Sequence, residues 1–171
     1  LGEADWKALG FQDPARIMEG LGRLRARVDT ARTLETCLGE ILRALLRTCD
    51  PDQAFSGLER WLEAGGATHF PAPLAWCQDP FLGVLCALFA GTPAFSEYLI
   101  RFPQRTQAVL EPVVARTMRG GRQWFERIQA ALAPATGWND QLAALRRVQR
   151  ELLLQIAALD LTLASPLPHT I

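Results

Sequence analysis

The chain has 171 residues, of which 49% are hydrophobic and 21% charged, and its 18 Lys and Arg are matched by 18 Asp and Glu. A chain of this length makes one or at most two domains and can bury roughly 70% of its unfolded surface, so a core needs neither disulfide nor metal. The balance of apolar and charged residues is that of an ordinary globular protein and excludes a disordered chain.

The first stretch, LGEADWKALGFQDP, is acidic and has no signal-peptide profile. Asp13-Pro14 then opens a helix with Ile17, Leu21, Leu24 and Val28 at helical spacing. Asp is a good N-cap, and proline at the first helical position lacks only an N–H that would be unpaired anyway. Gly20 and Gly22 weaken this helix by about 1 kcal/mol each relative to Ala. After a break near 30–33, Thr33 precedes a helix with Leu34, Cys37, Leu38, Ile41, Leu42, Leu45 and Leu46 along one stripe. Asp50-Pro51 opens the next, with Ala54, Phe55, Leu58, Trp61 and Leu62 inward and Gly65-Gly66 as its stop. Residues 67–78, with Pro71 and Pro73, read as a connector with one turn at Leu74 to Cys77.

The stretch DPFLGVLCALFAGTPAFSEYLIRFP, residues 79–103, reads as two helices back to back, capped by Asp79 and Thr92. The first is apolar nearly all round, so it must be covered on most sides. The run 81–96 is uncharged but too short to span a bilayer and is broken by Gly91-Thr92-Pro93. Beyond Pro103 a helix runs towards Arg119, with a kink or break expected near Glu111 because Pro112 removes a ladder hydrogen bond. Gln123 to Leu132 form a short helix with Trp124, Phe125, Ile128 and Leu132 on one face. Asn139 or Asp140 caps the longest helix, which runs to about Ala164 with Leu142, Leu145, Leu152, Ile156, Leu159 and Leu163 as its inner stripe, widened by Leu153, Leu154 and Leu161. No run alternates at period two with β-branched residues, so no strand is expected. The chain therefore reads as all-α, a bundle of about seven to nine helices joined by short loops. It reads as a single helical domain over residues 1–164, with a short subdomain 1–66 packed on 67–164 as the alternative division, and 165–171 as an irregular tail or linker.

Chemistry-bearing residues are few. Cys37, Cys49, Cys77 and Cys86 share no C-x-x-C spacing and sit among apolar residues, which reads as reduced core thiols in a cytoplasmic protein. With only His69 and His169 available, no zinc site is expected. Gly65-Gly66 and Gly120-Gly121 lack the pattern that cradles phosphates. Glu59 and Glu63 lie four apart on one helix, but no His or third carboxylate is near them in sequence, so they read as a solvated face. The five tryptophans are scattered, without the aromatic and basic interleaving of a single-strand binder, so nucleic acid is not an expected partner.

Charge is uneven along the chain. Residues 51–100 hold five acids and one Arg, and residues 101–150 hold nine Arg and three acids. This reads as two solvated faces that attract each other, or as a basic docking surface for an acidic partner or nucleotide phosphates. Arg146, Arg147 and Arg150 are the candidate contact residues, for phosphate or for a neighbouring domain.

The last helix, LRRVQRELLLQIAALDL (Leu145 to Leu161), resembles a signature of the glutamine synthetase adenylyltransferase family, in which an Arg-rich helix precedes the nucleotidyltransferase unit. Arg146, Arg147, Ile156, Asp160 and Leu161 match that pattern. Val148 stands where the family usually has Phe, and Gln155 and Leu159 where it often has Arg. The stretches ALGFQDP (8–14), CDPDQAFSGLERWLE (49–63) and GTPAFSEYLIRFP (91–103) resemble earlier parts of the family's helical region, in the same order. Nucleotidyltransferases of this type hold two metal ions with an Asp-x-Asp pair after a Gly-rich, Ser-containing turn. No such motif occurs here, since Asp50-Pro51-Asp52 is a helix cap.

The resemblance thus implies a helical regulatory or scaffolding segment that precedes a catalytic domain and has no active site, metal or cofactor of its own. ATP and Mg²⁺ would belong to that catalytic domain. The whole protein would add AMP to a tyrosine of glutamine synthetase and remove it, under control of a PII-type signalling protein. The alternatives are a free-standing helical adaptor for a protein partner, and a ligand-binding bundle with a pocket lined by Trp76, Phe81 and Phe89.

Overall fold

The computed structural model describes residues 2–72, 74–116 and 121–164, with side chains except at 28–34 and 162–164. The described residues form nine α-helices and three short 3-10 turns, with no strand. Among them no helix is long and apolar enough to cross a membrane. The chain divides into two compact units, Leu1–Gln107 and Ala108–Ile171.

The first unit opens with α1 (Glu3–Ala8), a short helix not evident from the acidic sequence, which buries Trp6 against Phe11. Helix α2 (Pro14–Ala26) starts as expected, with Asp13 accepting from the Arg16 N–H at 3.1 Å. The break before α3 (Val28–Leu45) falls at Arg27 rather than at 30–33, and the expected cap at Thr33 lies among residues whose side chains are not described. Helix α4 (Pro51–Glu63) is capped by Asp50, which accepts from the Gln53 N–H at 2.9 Å. Gly65 ends it at φ +82°, a left-handed conformation that glycine adopts without steric cost. The connector holds 3-10 turns at Gly66–His69 and Ala75–Cys77, the second where one turn was expected.

Helices α5 (Phe81–Gly91) and α6 (Pro93–Arg101) follow as the expected hairpin, but neither cap forms. The Asp79 carboxylate accepts from Arg47 Nη1, in the turn just after α3, at 3.0 Å, and the Thr92 hydroxyl donates back to the Leu88 carbonyl at 2.8 Å. The local signal for a cap was real, but a cross-helix cation and a nearby carbonyl are better placed partners. A 3-10 turn at Pro103–Arg105 leads into α7 (Thr106–Val114), which spans the boundary of the two units.

The core of the first unit is the α4–α5 contact. Leu58, Trp61 and Leu62 of α4 and Leu82, Leu85, Leu88 and Phe89 of α5 are all buried, and the two helices pack together. Two glycines let the helices approach. A Cβ at Gly57 would stand 2.6 Å from the Phe89 ring, and one at Gly20 would stand 2.6 Å from the Phe55 ring. The cost of Gly20 in a helix is therefore offset by the close α2–α4 packing it permits. Trp61 and Trp76 pack edge to face, 5.8 Å between centroids, and Phe70 packs on Phe81 in the same way. Trp61 keeps its buried Nε1–H satisfied by donating to Thr106 Oγ1 at 2.9 Å.

The expectation of four reduced core thiols is corrected at three positions. Cys37 on α3 and Cys77 in the connector form a disulfide, Cα atoms 6.2 Å apart across 40 residues of sequence, and Cys49 is exposed. Only Cys86 is a buried free thiol, and burial pushes its pKa up to about 12.

Of the kink or break expected near Glu111, the break does not occur: in the second unit, α7 runs on through Pro112 to Val114. It ends there and not near Arg119, with Arg116 at φ 52°. Helices α8 (Gly121–Leu132) and α9 (Trp138–Ala164) pack against each other, the longest helix starting one residue before its expected cap. The expected tail, 165–171, lies outside the described residues.

Candidate functional site

In the first unit, the starts of α2, α4 and α6 frame a groove of about 440 Å³ with Phe89 on its floor. The two Asp-Pro caps meet here. Asp52, one residue beyond Pro51, accepts from the backbone N–H groups of Gln12 at 2.8 Å and Asp13 at 3.0 Å, so the start of α4 holds the chain that enters α2. Arg16 Nη2 donates to Ser56 Oγ at 2.9 Å. Arg60 reaches across to α6 and engages both oxygens of Glu97, with Nη2 to Oε2 at 2.9 Å. The hydrogen bond from Arg60 holds the Glu97 carboxyl below its ordinary range, and Glu97 in turn raises Arg60. The groove is polar, and these charges tie α2 to α4 and α4 to α6. Among the described residues no group of three His, Cys, Asp or Glu is placed to hold a metal ion.

The pocket expected from Trp76, Phe81 and Phe89 does not assemble. Trp76 and Phe81 are buried in the core, and only Phe89 lines the groove. Glu59 is not solvated. It is 4% exposed, and its Oε1 accepts from Arg23 Nε at 3.0 Å and Nη2 at 2.7 Å, while Glu63 is exposed. Sequence reasoning missed this pair because its partner lies 36 residues away on α2.

In the second unit, Arg146, Arg147 and Arg150 are exposed on α9, at the three- and four-residue spacings that place Arg150 beside both others. The inner face of this helix is not the expected leucine stripe. Ala144, Val148, Glu151, Leu154, Gln155 and Ala158 are buried, while Leu145 and Ile156 are exposed and Leu142, Leu152 and Leu159 are half-buried. Leu163 lies outside the described side chains. On α8, Trp124 is buried while Phe125, read as sharing its face, is 60% exposed. The buried polar groups are partnered. Glu151 pairs with Arg127 of α8, whose guanidinium also lies 5.2 Å from the centroid of the Trp124 ring, and Gln155 Nε2 donates to the Val109 carbonyl of α7 at 2.8 Å. The signal for this face was present as a 4-3-4-3 spacing of residues 144, 148, 151, 155 and 158, but its residues are smaller or more polar than the leucines beside them.

No protein-family profile matches the chain, and no solved structure matches it. A curated protein does. Over 159 residues the chain is 31% identical to the bifunctional glutamine synthetase adenylyltransferase/adenylyl-removing enzyme of Streptomyces coelicolor. The match takes in 88% of this chain and spans only 14% of that enzyme's length.

Proposed function

We propose that the chain is a helical scaffolding or regulatory segment of a glutamine synthetase adenylyltransferase/deadenylylase-like protein, with the chemistry carried elsewhere in that protein. The observation that carries this reading is the 31% identity running through 88% of the chain, against one seventh of a much longer bifunctional enzyme. A match that covers most of the segment fits a helical unit used within a larger protein. The absence of an Asp-x-Asp pair behind a Gly-rich turn fits a segment that leaves metal and ATP to a neighbouring domain. In this reading Arg146, Arg147 and Arg150 supply the contact to that catalytic domain, through its carboxylates or the phosphates it binds. The whole protein would act in the cytoplasm on glutamine synthetase, adding and removing AMP in answer to a PII-type protein, and so adjust nitrogen assimilation.

Two measurements test it. The isolated chain, incubated with radiolabelled ATP, Mg²⁺ and glutamine synthetase, should incorporate no label, and incorporation above background would overturn the reading. The coding sequence beyond residue 171 should specify a Gly-rich, Ser-containing turn followed by Asp-x-Asp, and a stop codon directly after Ile171 would favour a free-standing adaptor instead.

A further inference from the structure

Helix α9 carries apolar residues on two opposite sides. Its inner side, around Val148, Leu154 and Ala158, is buried together with the partnered Glu151 and Gln155. On the outer side stand Trp138, Leu142, Leu145, Leu153 and Ile156, which at 3.6 residues per turn fall within about 80° of one another. Four of these are open to solvent, Trp138 at 75%, Leu145 at 40%, Leu153 at 47% and Ile156 at 41%. A run of large apolar side chains left open to solvent along one helix side marks a surface that a partner covers.

The charges on the outer side say what can cover it. Arg146 and Asp160 are both exposed, and each lies seven residues, two helical turns, from Leu153. All three therefore line up along one side of the helix, with the two charges about 10 Å to either side of Leu153. A second copy laid antiparallel across this face, with the two-fold axis at Leu153, brings each Arg146 beside the partner's Asp160. A parallel copy would instead set Arg146 over Arg146 and Asp160 over Asp160. The side is thus complementary in charge to itself in one direction only, as a two-fold interface requires.

We propose that the outer face of α9 is a self-association surface, forming an antiparallel dimer centred on Leu153. Leu153 packs on its counterpart, Leu145 and Ile156 flank it, and Arg146 and Asp160 pair at both ends. This does not depend on the catalytic domain proposed above. It assigns Arg146 to the two-fold face in place of the interdomain contact proposed above, which then falls to Arg147 and Arg150 on the flank.

The test is sedimentation equilibrium of the 171-residue chain, in a Cys49→Ser background so that the exposed thiol cannot crosslink two copies. Between about 1 µM and about 100 µM the mass should rise from 18.9 kDa towards twice that value. Leu153→Glu should leave the chain at a single mass with an unchanged circular dichroism spectrum, because Leu153 is 47% exposed and a glutamate there can keep its carboxylate in water. Arg146→Asp alone, or Asp160→Arg alone, should weaken association about tenfold by setting like charges together twice per dimer. The double variant Arg146→Asp/Asp160→Arg should restore it to near the native value. A single mass across the whole range, a dimer indifferent to Leu153→Glu, or a double variant no better than the single ones would each overturn the proposal.

Discussion

The amide of Gln155 donates from Nε2 to the Val109 carbonyl at 2.8 Å, in a site where Gln155 itself is 2% exposed. At a position where the resembled family often has arginine, this chain buries a neutral side chain and uses it to join α9 to α7. The bond stands one turn before Pro112, in a helix whose own ladder is one hydrogen bond short. Removing the amide should therefore cost more than its size suggests. Gln155→Leu leaves the Val109 carbonyl without this buried donor, at a cost of about 1–3 kcal/mol. Ile156→Ala, one residue on, should cost well under about 1 kcal/mol, since Ile156 is 41% exposed. Urea melts at one fixed chain concentration compare the two, and a larger loss for Ile156→Ala would show that the leucine stripe faces inward after all.

The Arg127–Glu151 pair should behave as a buried interaction. Glu151 is 2% exposed and Arg127 23%. Glu151→Ala leaves the guanidinium partly desolvated without its carboxylate, and should cost about 3 kcal/mol, the lower end for breaking such a pair. Replacing both, with Arg127→Met and Glu151→Leu, should recover most of that loss, because two apolar side chains of similar volume leave no charge stranded. The double-mutant cycle reads the coupling directly. Additive losses would mean that the two residues act separately.

Two glycines in helices should respond in opposite directions. Gly57→Ala puts a Cβ 2.6 Å from the Phe89 ring at the α4–α5 contact, so the helices must separate, at a cost of about 1–3 kcal/mol. Gly22→Ala meets nothing within 4 Å and should stabilise α2 by up to about 1 kcal/mol. Thermal melts of both variants test whether close packing, rather than chain flexibility, explains Gly57.

Thiol chemistry should report the burial of each cysteine. At pH 8 the native chain should react with a thiol reagent at one site, Cys49, which is exposed. Cys86, its pKa pushed up to about 12 by burial, should stay a protonated and inaccessible thiol. Unfolding without reductant should release a second reactive thiol, and unfolding with reductant should release four in all. Fast labelling of Cys86 in the folded chain would show that α5 is less well covered than its neighbours indicate.

Much of the helix order was legible because its signals are local. Asp13-Pro14 and Asp50-Pro51 set helix starts through contacts three residues long, and Gly65 stops α4 through its own backbone angle. The same local reading failed at Asp79 and Thr92, whose oxygens found partners just after α3 and within α5. It also failed for pairs made by residues far apart in sequence, Arg23 with Glu59 and Cys37 with Cys77. The orientation of α9 shows the limit most clearly. The sequence by itself determined that this helix exists, where it starts to within a few residues, and that leucines run along one side. It did not determine which side turns inward, because hydrophobicity ranks Leu above Ala and Gln, and packing does not. Ala144 and Ala158 are small enough to bring α9 close to its neighbours, and Glu151 and Gln155 meet Arg127 and the Val109 carbonyl there. Only the tertiary structure supplies those partners, so only it decided that the outer leucines would be left to face solvent.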